Sequence, residues 1–423
     1  MRAPPALSVT READGTVELL DNPVRPYAWG SRTVIAELLG EDVPSPHPQA
    51  ELWFGAHPAD PSHLVYPDGR RTSMLDAVRD DPERLLGPDR SGHWDATLPF
   101  LLKVLAADEP LSLQAHPSAE QALAGFARED AADIARDAPD RNYRDPNHKP
   151  ELLCALSEFH ALVGFRDPAA TVRLVHALDV PELAGHAELL AAQLDADGLR
   201  ALFTTWITLP QSMLDTLVPA LQEGCVRLAR DADLGAEFRA EVCTVLELSE
   251  RYPGDAGVLA ALLLNRVTLA PGEALFLPAG NLHAYLSGAG IELMANSDNV
   301  LRGGLTSKHV DVAELLRVLD FVAAPPPICT GRPDSGWICY DTPAEEFLLR
   351  RWEGSSAAPV AVPDGGPRIL LCTAGAACVR SAGVDLEIPR GASLWLAGVD
   401  RGVTVHARVE GTQLFLASDG LNP

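Results

Sequence analysis

The sequence predicts a mainly β protein with an α insertion. Short runs of strand-forming residues, separated by Pro, Gly and Asp, occupy residues 17–165, and the same chemistry returns in residues 253–423. Between them, residues 166–252 are rich in Ala, Leu, Glu and Arg, and their apolar residues recur three and four positions apart, as in amphipathic helices. A run of three prolines at 325–327 indicates a linker before the last β region.

These patterns divide the chain into three predicted domains. Residues 17–165 and 253–325 form one discontinuous β domain, which is expected to be catalytic because the chemical motifs below fall within it. Residues 166–252 form a helical insertion domain of three to five helices. Residues 326–423 form a C-terminal β domain, in which no metal site is expected.

A weak internal repeat relates the two β regions. The segment GEALFLPAG at 272–280 resembles GASLWLAG at 391–398, which is one residue shorter. Both segments place a Gly turn before an alternating strand and a second Gly after it. We therefore expect two copies of one β-barrel, of which the second lacks the His that follows the first.

Charge and composition exclude several classes of protein. The 423 residues carry 59 acidic against 34 basic side chains, a net charge of −25 that repels nucleic acids and anionic membrane surfaces. No run of uninterrupted apolar residues is long enough to span a membrane. The seven cysteines are scattered and odd in number, without a C-x-x-C pair, so reduced thiols and a cytoplasmic location are expected.

The sharpest motif is Gly272-x5-Pro278-x-Gly280-x2-His283. It predicts a strand between two turns, with His283 beginning the return strand, and such a turn holds an imidazole as rigidly as a metal ligand requires. The spacing resembles the second conserved motif of the cupin superfamily, with Ser287 where that family usually has Asn. The alternative is that His283 is an ordinary half-buried strand residue.

Two further segments carry candidate metal ligands. Strand alternation puts Ser112, Gln114 and His116 on one face, from which the amide and the imidazole could reach one cation; the alternative is an exposed polar face. Glu151 begins an otherwise apolar strand, where a carboxylate is costly to bury unless it is paired or bound to metal. Its alternative is a surface ion pair with Lys149, which would contribute little to stability.

Together these segments offer two imidazoles, one carboxylate and one amide oxygen. The set Gln114, His116, Glu151 and His283 suits zinc, with room for water or substrate as a further ligand. Because Gln is an uncommon zinc ligand, manganese, iron and cobalt remain open on ligand type alone.

The few lysines are concentrated beside these motifs. Only three of the 34 cationic residues are lysines, namely Lys103, Lys149 and Lys308, and each lies within or next to a segment described above. A compact, titratable point charge suits phosphate binding or proton transfer, and chance clustering is the alternative. Arg302, in the polar Gly-rich stretch 296–306, has the setting of a guanidinium held close to a ligand; a surface loop is the alternative.

Five blocks of the sequence, in order over most of residues 20–320, closely resemble type I mannose-6-phosphate isomerases. After residue 330 the resemblance is limited to β-rich character. The blocks are PYAWGS (26–31), AELWFGAHPADPS (50–62), LPFLLKVLAADEPLSLQAHPS (98–118), NHKPELLCAL (147–156) and PGEALFLPAGNLHAYLSGAGIELMANSDNVLRGGLTSKHVDV (271–312).

The resemblance implies two cupin-like jelly-roll β-barrels plus a helical domain. It also implies an enzyme of carbohydrate metabolism, a metal-dependent aldose–ketose isomerase that acts as an intramolecular oxidoreductase. The reaction would interconvert D-mannose 6-phosphate and D-fructose 6-phosphate by proton transfer between C1 and C2 through a cis-enediol. One zinc ion per chain is implied.

Roles for individual residues also follow from the resemblance. The zinc ligands would be Gln114, His116, Glu151 and His283. Arg302 would be catalytic, and the candidates for the base are His148, Lys149 and Asp298. The substrate-binding residues would be Trp29, Glu51, Lys103, Ser112, Tyr285, Glu292 and Lys308.

Within this set, Lys103, Lys308 and Ser112 are expected to hold the phosphate, since a phosphate needs cations and a hydroxyl. The expected partner is a small sugar phosphate, without nucleic acid or membrane; a monomer is expected, and an oligomer is left open. The alternatives are an isomerase of a related or unphosphorylated aldose, and a non-catalytic cupin that binds sugar or metal. An iron cupin oxygenase would prefer His in place of Gln114.

Overall fold

The computed structural model describes residues 17–231, 234–354 and 358–421 and contains, within them, 24 strands and 13 helices. The strands are β1 (Val17–Asp21), β2 (Val24–Arg25), β3 (Glu51–Phe54), β4 (His63–Val65), β5 (Arg71–Ser73), β6 (Phe100–Ala107), β7 (Leu113–Ala115), β8 (Glu151–Ala155), β9 (Phe159–Phe165), β10 (Leu264–Leu269), β11 (Ala274–Leu277), β12 (His283–Ala295), β13 (Leu301–Gly304), β14 (Ile328–Cys329), β15 (Arg332–Asp334), β16 (Trp337–Tyr340), β17 (Leu348–Gly354), β18 (Val360–Ala361), β19 (Arg368–Ala374), β20 (Ala376–Ser381), β21 (Val384–Pro389), β22 (Ser393–Leu396), β23 (Thr404–Ala407) and β24 (Thr412–Ser418). The helices are α1 (Val34–Leu39), α2 (Met74–Asp80), α3 (Pro82–Leu86), α4 (Pro88–His93), α5 (Ala119–Ala131), α6 (Pro168–Leu178), α7 (Pro181–Ala192), α8 (Ala196–Ile207), α9 (Gln211–Leu228), α10 (Leu234–Glu237), α11 (Arg239–Arg251), α12 (Gly257–Ala261) and α13 (Val312–Val318).

The strands form three antiparallel sheets. An eleven-stranded sheet has the main order β14-β11-β8-β12-β6-β3-β2, and β7, β9, β10 and β13 join it through β12. A nine-stranded sheet has the order β15-β16-β17-β24-β19-β22-β1-β4-β5, and a small sheet has the order β18-β23-β20-β21. The predicted mainly β architecture with helices is confirmed. Among the described strands these pairings do not close a barrel, so the two jelly rolls stay a prediction.

The hydrophobic core lies between stacked sheets. One cluster fills the space between the eleven-stranded and nine-stranded sheets, with Phe54 and Phe100 from the first and Trp395 and Phe415 from the second, all fully buried. A second cluster, which includes the buried Trp337, lies between the nine-stranded sheet and the small sheet. This layering gives the eleven-stranded sheet a rigid backing, which is what a precisely held site on its other side requires.

The nine-stranded sheet contains strands from both the N-terminal and the C-terminal part of the described chain. Strand β1 pairs with β22 on one side and with β4 on the other. Residues 17–21 and the β4–β5 hairpin therefore belong, by hydrogen bonding, to the sheet of the C-terminal region. The predicted domain limit at residue 326 separates sequence segments and does not coincide with the division between sheets.

The described part of residues 166–252 contains six helices, α6–α11, where three to five were expected. Their apolar faces converge on a core that includes Phe203 and Trp206, and this core continues into β7 and β13 through Leu113 and Leu301. The helices thus support the two strands that carry Gln114 and Arg302. None of the helices in the described ranges has the length and apolar character needed to cross a bilayer.

The two segments of the internal repeat have equivalent turns. Gly272 precedes β11 with φ 86°, and Gly391 precedes β22 with φ 84°. Both values lie in the left-handed region, where a residue with a Cβ is strained, so each position requires Gly. The repeat recognised in the sequence therefore corresponds to two strands with the same entry geometry, one in each large sheet.

Candidate active site

Strand register brings three of the predicted residues side by side. On β12, His283 lies directly opposite Gln114 of β7, and on the other edge of β7 Gln114 lies opposite Arg302 of β13. Directly opposed residues on one face of an antiparallel sheet have their Cβ atoms about 5 Å apart. The row His283–Gln114–Arg302 is therefore fixed by backbone pairing, although the three residues are far apart in the sequence.

Three buried side chains converge next to this row. The Nε2 atom of His116 lies 3.3 Å from one carboxylate oxygen of Glu151, and the Nε2 atom of His283 lies 3.4 Å from the other. All three ligand atoms lie within 4.8 Å of one another, and each residue is at most 4% exposed. The predicted convergence of His116, Glu151 and His283 is thus present in the folded chain.

The hydrogen bonds of the two imidazoles show what these atoms face. The Nδ1 atoms of His116 and His283 lie 2.7 and 3.0 Å from the backbone carbonyl oxygens of Asn299 and Asn281. A carbonyl oxygen can only accept, so each Nδ1 carries the hydrogen and each Nε2 presents a lone pair. Both lone pairs point toward the oxygens of one carboxylate, and His116 Nε2 is buried without a hydrogen bond. Acceptors that face each other in this way are stabilised by a cation placed between them.

The donor set fits zinc. Two imidazole nitrogens and a carboxylate oxygen are the ligands of catalytic zinc sites, which keep a further position for water or substrate. The backbone carbonyls behind the imidazoles orient them, as outer partners of metal ligands do. The amide nitrogen of Gln114 donates to Ser112 Oγ (3.4 Å), which leaves the amide oxygen as the atom that can serve as the fourth protein ligand.

Acid is expected to destabilise the metal-free protein between pH 6.5 and about 4. Burial lowers the pKa of His116 to about 4, against the opposite pull of the Glu151 carboxylate. An unfolded His titrates near 6.5, so within this window the unfolded chain binds a proton that the native chain does not. The free energy of unfolding should therefore fall by about 3 kcal/mol as the pH is lowered across the window. Urea unfolding of the metal-free protein at a series of pH values measures this slope, and an unchanged slope in His116→Gln would contradict it.

Glu151 is held as a carboxylate. Burial by itself would raise its pKa, but the neighbouring His116 and Lys149 side chains hold the pKa of Glu151 well below its usual range. The Nζ atom of Lys149 lies 3.1 Å from a Glu151 oxygen, and Lys149 is only 8% exposed. The pair predicted as a surface alternative is therefore buried, where an ammonium and a carboxylate interact more strongly than at a surface.

A second buried cluster lies farther along β12. Lys103 of β6 is opposite Glu292 of β12, and its Nζ atom lies 2.9 Å from Glu292 and 3.6 Å from Glu51. Glu51 also accepts a hydrogen bond from Trp53 Nε1 (2.7 Å). Tyr285, on the same strand as Glu292, is 4% exposed, and its hydroxyl is buried without a hydrogen bond. These side chains supply buried polar atoms beside the metal ligands.

The geometry argues against the expectation that Lys103 holds the phosphate. Burial lowers the pKa of Lys103, but Glu292 and Glu51 more than offset this and raise it above its usual value. The ammonium is thus charged and already balanced by two carboxylates. A phosphate dianion placed there would meet a net negative cluster, so Lys103 suits the sugar end of a substrate.

Three other cations lie close together beside the site: Arg302 and Lys308, which have no acidic partner among the described residues, and Arg144, whose charge also acts on Asp298. Arg302 is part-buried, whereas Arg144 and Lys308 are exposed. Burial and Arg144 lower the pKa of Arg302, and burial, Arg302 and Arg144 lower the pKa of Lys308. Each of these cations makes the charged form of its neighbours less stable, and an anion bound among them would relieve that repulsion. Lys308 lies beside Arg302, and Ser112 lies beside Gln114 on the approach to β7; their contact with a phosphate stays a prediction.

Two predicted residues line an adjoining cavity of about 640 Å³. His148 Nε2 lies 2.5 Å from Glu346 Oε1, a carboxylate of the C-terminal region. Asp298 lies 3.4 Å from His57 Nε2; burial raises its pKa, but His57 and Lys149 more than reverse this. Each of these two candidate bases therefore has a partner of its own. Trp29, the remaining predicted pocket residue, packs beside the apolar cluster that contains Tyr285.

Sequence reasoning missed four residues of this region. His57 stands within a block that resembles the isomerase family, and Arg144 lies three residues before another such block, so both were within reach of that comparison. Asn299 lies inside the Gly-rich stretch, where its burial could not be foreseen. Glu346 lies where the resemblance is limited to β-rich character, and nothing in the sequence pointed to it.

Comparison with known proteins identifies the family. Residues 17–168 match the model for the catalytic domain of type I phosphomannose isomerase. The chain is 37% identical to mannose-6-phosphate isomerase of Escherichia coli K12 over 399 residues, covering 93% of this chain and 98% of that protein.

Solved structures agree with this. A mutant of phosphomannose isomerase from Salmonella typhimurium superposes with a TM-score of 0.88 at 33% identity, covering 96% of this chain and all of that one. A zinc-bound mannose 6-phosphate isomerase superposes with a TM-score of 0.86 at 34% identity and the same coverage. The similarity extends over nearly the whole length of both chains, so this chain belongs to the type I phosphomannose isomerase family.

Proposed function

We propose that the chain is a zinc-dependent isomerase that interconverts D-mannose 6-phosphate and D-fructose 6-phosphate. The observation that carries the proposal is the convergence of His116, Glu151 and His283 beside the row that leads through Gln114 to Arg302. It joins a cation site to a free guanidinium, the two elements needed to stabilise the charge of an enediol. Family membership supports the same activity.

The metal would be held by His116, Glu151, His283 and the amide oxygen of Gln114, with one zinc ion per chain. When bound, zinc supplies Lewis-acid stabilisation of negative charge on the sugar oxygens. Arg302, next to Gln114 in the sheet, would donate hydrogen bonds to an oxygen of the enediol and stabilise the charge that develops there. Lys103, Glu51, Glu292 and Tyr285 would contact the sugar hydroxyls, since they offer both donors and acceptors.

The proton moves between C2 of the aldose and C1 of the ketose. A base takes the C2 proton while an acid protonates the carbonyl oxygen at C1, which gives the cis-enediol; the base then returns its proton to C1 while the deprotonated acid takes the proton of the C2 hydroxyl, which becomes a carbonyl. His148, Lys149 and Asp298 remain the candidates for the base. Lys149 lies nearest the metal ligands, while His148 and Asp298 are held by partners that orient them.

The phosphate would bind at Arg144, Arg302 and Lys308. This arrangement revises the expected set by replacing Lys103 with Arg144 and adding Arg302, and it keeps Ser112 as the hydroxyl donor. It is supported by charge: the protein carries a net charge of −25, and Arg302 and Lys308 are cations beside the site that no described carboxylate balances, with Arg144 next to them.

Arg144→Gln is expected to raise KM for mannose 6-phosphate by roughly 10- to 100-fold and to leave turnover of free mannose unchanged, because a hydrogen bond to a charged group contributes about 1.5–3 kcal/mol. Lys103→Gln should instead impair both sugars to a similar degree. Steady-state kinetics with the two sugars measures the split. Arg239→Gln, which removes an exposed arginine of α11, controls for the change in net charge. A selective effect of Lys103→Gln on the phosphorylated sugar would restore the original assignment.

The remaining expectations concern architecture and setting. We propose that the two β regions, 17–165 with 253–325 and 326–423, are built on cupin-like jelly rolls, with β1, β4 and β5 joining the sheet of the second region. The equivalent turns at Gly272 and Gly391 support the relation between the two regions. We propose a cytoplasmic monomer on the grounds of its cysteine usage and composition.

The deciding experiment is an isomerisation assay on zinc-loaded protein. Mannose 6-phosphate should be converted to fructose 6-phosphate, chelation should abolish the conversion, and added zinc should restore it. Deuterium exchange at C2 should accompany turnover, as expected for transfer through a base. Stoichiometric zinc without isomerisation of any aldose phosphate would indicate a non-catalytic sugar- or metal-binding protein.

A further inference from the structure

Asn299 lies at the centre of a hydrogen-bond network between two parts of the site. It is completely buried, and its side chain oxygen accepts hydrogen bonds from the backbone amides of Arg144 (2.7 Å) and Asp145 (3.3 Å). Its side chain nitrogen donates to the backbone carbonyls of Asp145 and Asn147, both at 2.8 Å. One amide side chain therefore pairs with four backbone groups of a single short segment.

That segment, residues 144–149, has no regular secondary structure and depends on such side chain bonds. It carries Arg144, which lies with the cations Arg302 and Lys308 beside the site, at one end and Lys149, the partner of Glu151, at the other. Ser297 adds a bond to the Asp145 carboxylate (2.8 Å) and another to the backbone amide of Asn299 (3.2 Å). Ser297 and Asn299 thus hold the segment whose ends carry the two cations, Arg144 and Lys149.

The backbone of Asn299 faces the other part of the site. Its carbonyl oxygen accepts the hydrogen bond from His116 Nδ1 (2.7 Å), the bond that turns the Nε2 lone pair toward Glu151. We propose that Asn299 is a positioning residue that couples the metal centre to segment 144–149. A metal on His116 fixes the Asn299 backbone, and the Asn299 side chain passes that constraint to the segment. This inference rests on the metal centre of the proposed function.

Hydrogen–deuterium exchange of segment 144–149, measured with and without zinc, tests the coupling. In the parent protein, zinc should slow exchange of this segment. In Asn299→Ala, exchange should be about tenfold faster or more and should no longer respond to zinc, because local opening has lost its main restraint. Zinc affinity, measured by chelator competition, should fall by roughly 10-fold, the lower end of the effect of changing an outer partner of a metal ligand, because the backbone carbonyl that bonds to His116 is retained but is no longer anchored by the side chain.

Two further variants keep the test interpretable. Ser297→Ala removes a smaller part of the same network, the bonds of its hydroxyl with Asp145 and with the Asn299 amide, so it should be intermediate and guards against a simple folding failure of the alanine variant. Asn22→Ala is the matched control, since its amide also bridges two segments, donating to Ser393 Oγ and accepting from Ser62 Oγ, outside segments 144–149 and 296–300. It should keep the zinc response of the parent.

The coupling is refuted if Asn299→Ala exchanges like the parent and keeps its zinc response, or if the parent itself shows no zinc response in this segment. The isomerase assay, run on the same samples, reports on the proposed function alone. An active parent without a zinc-dependent segment would therefore reject the coupling and retain the isomerase.

Discussion

Replacement of Arg302 by alanine is expected to lower kcat by about 10²–10³-fold, the cost of removing one donor aimed at a developing oxyanion. Arg302 lies opposite Gln114 in the sheet, and its part-buried guanidinium has no acidic partner among the described residues, so its charge is available to a ligand. Arg302→Lys should recover only part of the loss, because an ammonium keeps the charge but not the planar fork of donors. A coupled assay of mannose 6-phosphate isomerisation gives both parameters.

Zinc content and thermal stability serve as the controls for this variant. Arg302 does not coordinate the metal in the proposed site, so zinc content and thermal stability of Arg302→Ala should match the parent. A kcat within threefold of the parent would remove Arg302 from the catalytic set. A large rise in KM with an unchanged kcat would assign Arg302 to the phosphate alone.

Local sequence patterns were sufficient to select the residues of the candidate metal site. Strand alternation predicted that Gln114 and His116 would share a face, and the buried Leu113 and Ala115 on the other face confirm it. The turn at Gly272 was recognisable because the requirement for a positive φ is local. The cost of burying an unpaired acid led to Glu151, which is 3% exposed. Each of these inferences depends on neighbours within a few residues.

Partners across the sheets could not be predicted in the same way. Lys103 was assigned to the phosphate because the sequence does not show which carboxylate neutralises it. That carboxylate, Glu292, is 189 residues away and lies opposite Lys103 only through the register between β6 and β12. Glu346 reaches His148 only because the C-terminal region packs against the eleven-stranded sheet. Pairing between distant strands is set by packing of the whole core, and a sequence pattern with a period of two residues carries no information about it.

Removal of His283 is expected to abolish both zinc binding and activity. Its Nε2 lone pair faces Glu151 within the cluster of three ligand atoms, and the turn before β12 holds it there. His283→Ala should lower turnover by about 10³-fold or more, since a bound divalent ion contributes several kcal/mol to stabilisation of transition-state charge. Zinc content per chain should fall from about one to near zero, and added zinc should not restore the activity.

The adjacent strand offers a matched control for this loss. His160 lies on β9, pairs in register with Ser287 of the same strand β12 and bonds to Thr268, outside the ligand cluster. His160→Ala removes an imidazole of the same size from the same sheet, so it should retain zinc and activity if the effect at residue 283 is due to coordination. Equal losses in both variants would show that the sheet, and not the ligand, was damaged. Full activity of His283→Ala with zinc still bound would exclude His283 from the metal centre.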